Sequence, residues 1–137
     1  MKKYTTWLFA ILLLVFGGLH AQAKKKTVPQ LYVFGVSTSF IDSKVYITEI
    51  QELANGIIED KGNFLSDRDI YTHQLKTYLS KEDPQERMCV VVYALDKKTI
   101  EKKFDKIKKK LGKQKNIELK MIDSTSFSFT VPVPVEE

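Results

Sequence analysis

Two segments of the sequence are apolar on both of the faces that a β-strand presents. The first, "QLYVFGVST", covers residues 30–38, and the second, "RMCVVVYAL", covers residues 87–95. Side chains along a strand point alternately to its two faces, so a strand with one wet face alternates apolar and polar residues. Neither segment alternates in this way. Both are therefore predicted to be interior strands of a sheet that is covered on two sides.

The remaining strand signals indicate an α+β domain. Residues 44–50 favour a second strand that forms a hairpin with the first, and residues 116–123 favour a fourth strand. The section 55–63 contains two glycine turn signals and is predicted to be irregular. "SFSFTV" (126–131) alternates apolar and polar residues and is a possible last strand. We expect a mainly antiparallel sheet of four to five strands, in the order β-β-α-β-α-β with a possible last β, and two helices packed on one of its faces.

Capping residues and apolar spacing predict where the two helices begin and end. Ser66 is followed by Asp69 in a Ser-x-x-Asp pattern, a variant of the capping box, so the first helix is predicted to begin at Ser66 and to end near Ser80. Asp96 is placed to cap the second helix, and Gly112 is a plausible end for it. Apolar residues of the second helix recur at steps of four, three and four, at Ile100, Phe104, Ile107 and Leu111.

The first 23 residues have the pattern of a secretory signal peptide. Lys2 and Lys3 precede an apolar run at residues 7–16, and Ala21 and Ala23 supply small residues at a cleavage site. A run of ten residues is short for a bilayer span, which needs about 20. We therefore divide the chain into a signal peptide (1–23), an exposed leader (24–29), a single α+β domain (30–131) and a C-terminal tail (132–137), and we expect a periplasmic or extracellular protein.

Few side chains are of the kinds that bind metals. Cys89 is the only cysteine, and it lies within an apolar run, so we expect it to be buried and slow to react. His73 is the only histidine that follows the signal segment. Structural zinc sites take four cysteine or histidine ligands. We therefore expect no metal site, and no motif indicates a cofactor.

Positive charge is concentrated in the second predicted helix. Residues 97–115 contain ten lysines against Glu101 and Asp105, a balance of +8, whereas the whole chain carries only +5. A solvated helix face is the simplest interpretation, a surface for an anionic partner is the second, and insertion into a membrane interface is the third. If the helix binds a partner, six lysines are predicted to face it: Lys102, Lys103, Lys106, Lys109, Lys110 and Lys113.

The segment "SDRDIYTH" is the one candidate for catalysis. Asp67, Arg68, Asp69 and His73 lie within seven residues. Asp69 and His73 are four residues apart on the predicted helix, so Asp69 could orient His73 as a general base while Arg68 holds an anion. Acidic residues in a first helical turn also have a purely structural explanation, since they favour the helix dipole. The structural explanation is preferred.

Three pieces of the chain, taken together, resemble a group of small exported bacterial proteins whose function is unknown. These pieces are "YVFGVSTSFIDSKVYITEIQ", "FLSDRDIYTHQLKTYL" and "CVVVYA". The resemblance implies export and a compact α+β domain. It carries no catalytic residues to this chain.

These observations favour a non-enzymatic, exported binding or interaction domain of the bacterial cell envelope. Its partner is expected to be an anionic envelope component, another protein, or a second copy of the chain docked on an uncovered sheet face. The alternative is a small hydrolase or nuclease that uses Asp67, Arg68, Asp69 and His73.

Export leads to the first testable prediction. The mature protein should begin at Lys24, because signal peptidase selects small residues such as Ala21 and Ala23 before its cleavage site. N-terminal sequencing of protein from the exported fraction checks this. Recovery of a chain that still begins with Met1, held in the membrane fraction, would contradict the prediction.

Overall fold

The structure, a computed structural model, describes residues 24–83 and 86–132. The predicted signal peptide and residues 133–137 of the predicted tail lie outside the described residues. Within the described ranges the order of elements is β-β-β-α-β-α-β, so the α+β class is confirmed. The elements are β1 (Lys25–Thr38), β2 (Lys44–Thr48), β3 (Gln51–Glu59), α1 (Arg68–Glu82), β4 (Met88–Ala94), α2 (Lys97–Gly112) and β5 (Glu118–Ile122). None of the helices described here is long and apolar enough to cross a membrane.

Strand β1 is the centre of the sheet. Along one edge it pairs with β4, from Tyr32 to Thr38. Along the other edge it pairs first with β3 and then, at Val36 and Ser37, with β2. These three pairings are antiparallel, and β2 pairs with β5 in parallel. The sheet is therefore mixed but mainly antiparallel, as predicted.

The two helices cover opposite faces of this sheet, and the prediction that both pack on one face is wrong. Leu31 and Val33 of β1 belong to the cluster that contains the buried residues of α1. Phe34, which points to the other side, clusters with Ile100 of α2. In the described part of the chain, both faces at the centre of the sheet carry a helix. An uncovered central face of the kind expected for a dimer is not found there.

The C-terminal segment completes the α1 face. Phe129 is buried in the cluster, and Phe127 packs against it. Gln51 holds this segment with both ends of its side-chain amide: Nε2 donates to the carbonyl oxygen of Phe127 (3.0 Å), and Oε1 accepts from the backbone N–H of Phe129 (2.7 Å). The possible last strand at 126–131 is therefore not a strand but a segment bound to side chains.

Helix α1 begins two residues later than predicted. Its N-cap is Asp67, which has a left-handed backbone (φ 56°) and makes no side-chain capping bond. Ser66 is buried, and its backbone N–H donates to the carbonyl oxygen of Ile57 at 3.0 Å. Ser66 thus belongs to a connection with β3, next to the bridge between Ile58 and Leu65, and it does not cap the helix.

Strand β3 replaces the irregular section that was predicted. The strand continues through Asn55, which has a left-handed backbone (φ 58°) but remains within the strand. Its end pairs with Lys25–Val28. The predicted leader at 24–29 is exposed over most of its length, but from Lys25 onward it is the first part of β1.

Gly35 gives a stability prediction. A Cβ atom at this position would lie 2.6 Å from Leu75 Cδ2 and 3.0 Å from Phe129 Cζ, inside the packed α1 face. Gly35→Ala should therefore destabilise the protein by about 1–3 kcal/mol through overpacking. Gly112→Ala is the matched control, because nothing lies within 4 Å of its added Cβ, and it should stabilise the end of α2 by about 0.5–1 kcal/mol. Urea unfolding measures both, and a neutral result for Gly35→Ala would contradict this packing.

Candidate functional site

The four residues of the catalytic candidate are not joined into one arrangement. Asp67 caps α1 with its backbone, and Asp69 and His73 are exposed. No hydrogen bond or ion pair connects Asp69 with His73 within the described ranges. The side chain of Arg68 reaches strand β4, where it donates to the carbonyl oxygen of Val91. The segment therefore lacks the paired base and orienting acid that the hydrolase alternative requires.

Arg68 meets Lys103 at the outer edge of β4. Its Nη2 donates to the carbonyl oxygen of Val91 at 2.7 Å, and Lys103 Nζ donates to the carbonyl oxygen of Tyr93 at 3.1 Å. Each cation lies 5.9 Å from the centre of the Tyr93 ring. We call this cleft, of about 440 Å³ and also lined by Asn63, the Tyr93 cleft. This cleft brings together Arg68, a residue of the catalytic candidate, and Lys103, one of the lysines predicted to bind a partner.

The Tyr93 cleft has a structural explanation. Carbonyls two residues apart in a strand point to the same edge, and a strand edge without a partner invites pairing with other chains. β4 pairs only with β1 in the described part of the chain. Arg68 and Lys103 satisfy two carbonyls of the other edge and place positive charge there. This arrangement protects the edge, and it also leaves two cations beside one aromatic ring.

The six lysines that are predicted to face a partner are exposed on α2 and at its end. Asp96 caps the helix by accepting from the backbone N–H of Thr99 at 2.9 Å, and the apolar stripe faces the sheet, with Ile100 fully buried. What we call the lysine surface consists of five lysines of the helix and one directly after its end: Lys102, Lys103, Lys106, Lys109, Lys110 and Lys113. All six are exposed. None of them takes part in the ion pairs of the described residues, which involve other lysines and Arg87. None of the six is therefore held in an ion pair in this part of the chain, and Glu101 and Asp105 offset only a small part of their charge.

A buried ionic group that the sequence analysis missed joins three parts of the fold. The Arg87 side chain is only 1% exposed, and its Nη2 pairs with Asp42 (3.0 Å) and Asp83 (2.9 Å). Its Nη1 donates to the carbonyl oxygen of Lys44 at 3.0 Å, and the guanidinium lies 4.6 Å from the centre of the Tyr46 ring. We call this group the Arg87 knot. It ties the β1–β2 turn, the end of α1 and the start of β4 to one another.

A second cleft, of about 420 Å³, lies beside the Arg87 knot and is lined by Tyr46 and Tyr78. Burial raises the pKa of the Tyr46 phenol, and the Asp83 carboxylate raises this pKa further. Burial also raises the pKa of Tyr78, with a further contribution from Glu82. Both hydroxyls therefore stay protonated at neutral pH and can donate hydrogen bonds. The cleft carries both signs of charge, so it favours no simple ion.

Two further polar groups stand outside these clefts. Cys89 is half-buried rather than fully buried, and its Sγ lies 3.5 Å from the hydroxyl of Ser37. The Tyr71 hydroxyl is buried and has no hydrogen-bond partner among the described residues. Residues 24–83 and 86–132 contain no group of three or more acidic, histidine or cysteine side chains placed to hold a metal ion.

Comparison with known proteins gives no relative. No protein-family model matches the chain, and no curated protein or solved structure is significantly similar to it.

The Arg87 knot leads to a prediction about stability. Arg87→Met should cost about 3–5 kcal/mol, because it removes the nearest cation from a partly buried carboxylate pair. Arg68→Met serves as the control, since Arg68 is exposed and makes one bond to a backbone carbonyl, and it should cost less than about 1.5 kcal/mol. Chemical unfolding of both variants measures the difference. Equal costs would show that the knot does not hold the fold together.

Proposed function

We propose that this chain is a small exported binding domain of the cell envelope, and that it holds an anionic partner on the lysine surface. The observation that carries this proposal is the concentration of positive charge on α2. Five exposed lysines stand on this helix and Lys113 follows its end, and none of the six forms an ion pair in the described part of the chain.

Within the described ranges, the side chains of most of the six lysines form no hydrogen bond that would stabilise the fold. The fold needs the apolar stripe of α2 and its cap, both of which lie on or near the side that faces the sheet. Lys103 alone among the six is used inside the molecule, where it donates to the carbonyl oxygen of Tyr93. Like charges so close together repel one another, which costs folding free energy unless a partner neutralises them. A dense positive surface attracts an anionic polymer or a surface of acidic head groups.

Arg68 extends the positive region around the edge of the sheet. It shares the Tyr93 cleft with Lys103, so the cleft is continuous with the lysine surface. A guanidinium binds carboxylate and phosphate groups through paired N–H donors, whereas a lysine acts as a point charge. The Tyr93 cleft is therefore the part of this region that is best suited to an individual acidic group of the partner.

Charge substitution tests the proposal. The variant Lys106→Gln, Lys109→Gln, Lys110→Gln removes three lysines whose side chains form no hydrogen bond or ion pair among the residues that the structure describes. Each lysine near an anionic surface contributes about 1 kcal/mol, so binding should weaken at least about tenfold. The measurement is the salt concentration that elutes the protein from heparin and from immobilised acidic envelope polymer, because exposed charges are screened within about 8–10 Å at such ionic strengths.

The control variant removes the same charge from elsewhere. Lys61→Gln, Lys76→Gln, Lys81→Gln changes three exposed lysines of the β3–α1 connection and of α1. It should elute close to the unchanged protein, and both variants should keep its melting temperature, since all the positions are on the surface. If the two variants elute alike, net charge alone governs retention and the lysine surface has no special role.

A further inference from the structure

The turn between β1 and β2 carries two large apolar side chains out into solvent. Phe40 is 89% exposed and Ile41 is 74% exposed. Single exposed apolar residues are common, but two adjacent ones at the apex of a turn form a protrusion that water solvates poorly. Met88, which is 52% exposed, pairs with Thr38 and stands at the same end of the sheet. We call Phe40 and Ile41 the apolar tip.

The turn is braced so that the tip stays outside. The backbone N–H of Ile41 donates to Ser39 Oγ at 3.1 Å, and the N–H of Lys44 donates to Asp42 Oδ1 at 3.0 Å. Asp42 is also held by Arg87, whose side chain is buried. The Arg87 knot therefore holds the base of the turn from inside the molecule, with the tip pointing into solvent.

The basic end of α2 lies beside this turn. The chain leaves α2 at Gly112 and enters β5 at Glu118, whose backbone N–H donates to the carbonyl oxygen of Ser43 at 2.8 Å. The lysines at the end of α2 and in the short connection to β5 are therefore at the same end of the molecule as the tip. These lysines are Lys109, Lys110, Lys113 and Lys115, and all are exposed.

We propose that this end of the molecule docks on an anionic lipid surface, with Phe40 and Ile41 inserted among the head groups and the neighbouring lysines lying against the phosphates. This inference rests on the proposed function and names the partner of one part of the lysine surface, the part formed by Lys109, Lys110 and Lys113. Peripheral attachment of this kind combines the burial of a small apolar area with attraction between basic residues and acidic lipids. Each of the two terms is weak, and together they give reversible binding.

The size of the apolar tip favours lipid over a protein partner. A stable protein interface buries about 800 Å² on each side around a packed centre. Two side chains on a turn cannot supply a centre of that size. A bilayer makes no demand for shape complementarity, so two apolar residues that are flanked by lysines are enough for it.

Vesicle binding by the chain that begins at Lys24 tests the inference, because this chain is the expected mature form and contains all the described residues of the two hydrophobic clusters. Sedimentation with vesicles of phosphatidylcholine alone is compared with sedimentation when phosphatidylglycerol is added. Binding is expected only with phosphatidylglycerol. The double variant Phe40→Ser, Ile41→Ser should bind these vesicles at least about tenfold more weakly. Phe64→Ser is the matched control, since Phe64 is 60% exposed and lies in the connection between β3 and α1, and it should bind as the unchanged protein does.

Fluorescence reports insertion directly. Trp7 is the only tryptophan of the sequence, so Phe40→Trp places a single tryptophan in the chain that begins at Lys24. Its emission should shift to shorter wavelength on the phosphatidylglycerol vesicles. An unshifted emission in vesicle-bound protein overturns the insertion of the tip, and so does full vesicle binding by the double serine variant.

Retention on heparin, measured in parallel, separates this inference from the proposed function. The double serine variant should keep its retention on heparin, because its lysines are unchanged. Retention without any vesicle binding overturns the lipid inference and leaves the anionic partner in place. Absence of both overturns the proposed function itself. Self-association that disappears in the double serine variant, without vesicle binding, identifies the tip as a protein contact and also overturns the inference.

Discussion

The burial of β1 on both faces and along both edges is the constraint on which the rest of the molecule depends. Leu31 and Val33 require a cover on one side, and Phe34 requires a cover on the other. Burying an aliphatic or aromatic side chain of this size contributes about 1.5–3 kcal/mol, so a helix on each face is strongly favoured over one bare face. The positions of α1, α2 and the C-terminal segment all follow from this requirement.

The sequence predicted the local features better than their arrangement. Apolar character on both faces of residues 30–38 correctly indicated an interior strand, and the cap and end of α2 were read from Asp96 and Gly112. The same prediction for residues 87–95 is wrong, because β4 pairs only with β1 in the described part of the chain and is an edge strand there. The side on which each helix packs depends on how the connections cross the sheet, and periodicity carries no information about that. Ser66 had the residue pattern of a cap, but its pairing with β3 took precedence, because tertiary contacts override local preference.

For the candidate sites, too, local features could be predicted from the sequence, whereas contacts between distant segments could not. Helical spacing alone was sufficient to predict the apolar stripe of α2 that packs on the sheet. The knot joins Arg87 with Asp42 across 45 positions of the sequence, and the Tyr93 cleft joins residues from two helices and a strand. No sequence pattern within a single helix or strand predicts contacts between such distant residues. The one available signal was that Arg68 and Arg87 are the only arginines of a lysine-rich chain, and both proved to hold distant segments together.

The Gln51 amide, which fixes the C-terminal segment, also determines when the molecule can finish folding. Its two bonds span 76 and 78 positions of the sequence, and the parallel partner of β2 is the last strand described. Contacts between such distant positions form slowly, because a long loop must close before they contribute any stability. Until residues 127–131 have been synthesised, the part of the α1-side core that Phe127 and Phe129 cover stays exposed. Folding of this domain is therefore completed only after these residues are available, and a chain that lacks them presents apolar surface that favours aggregation.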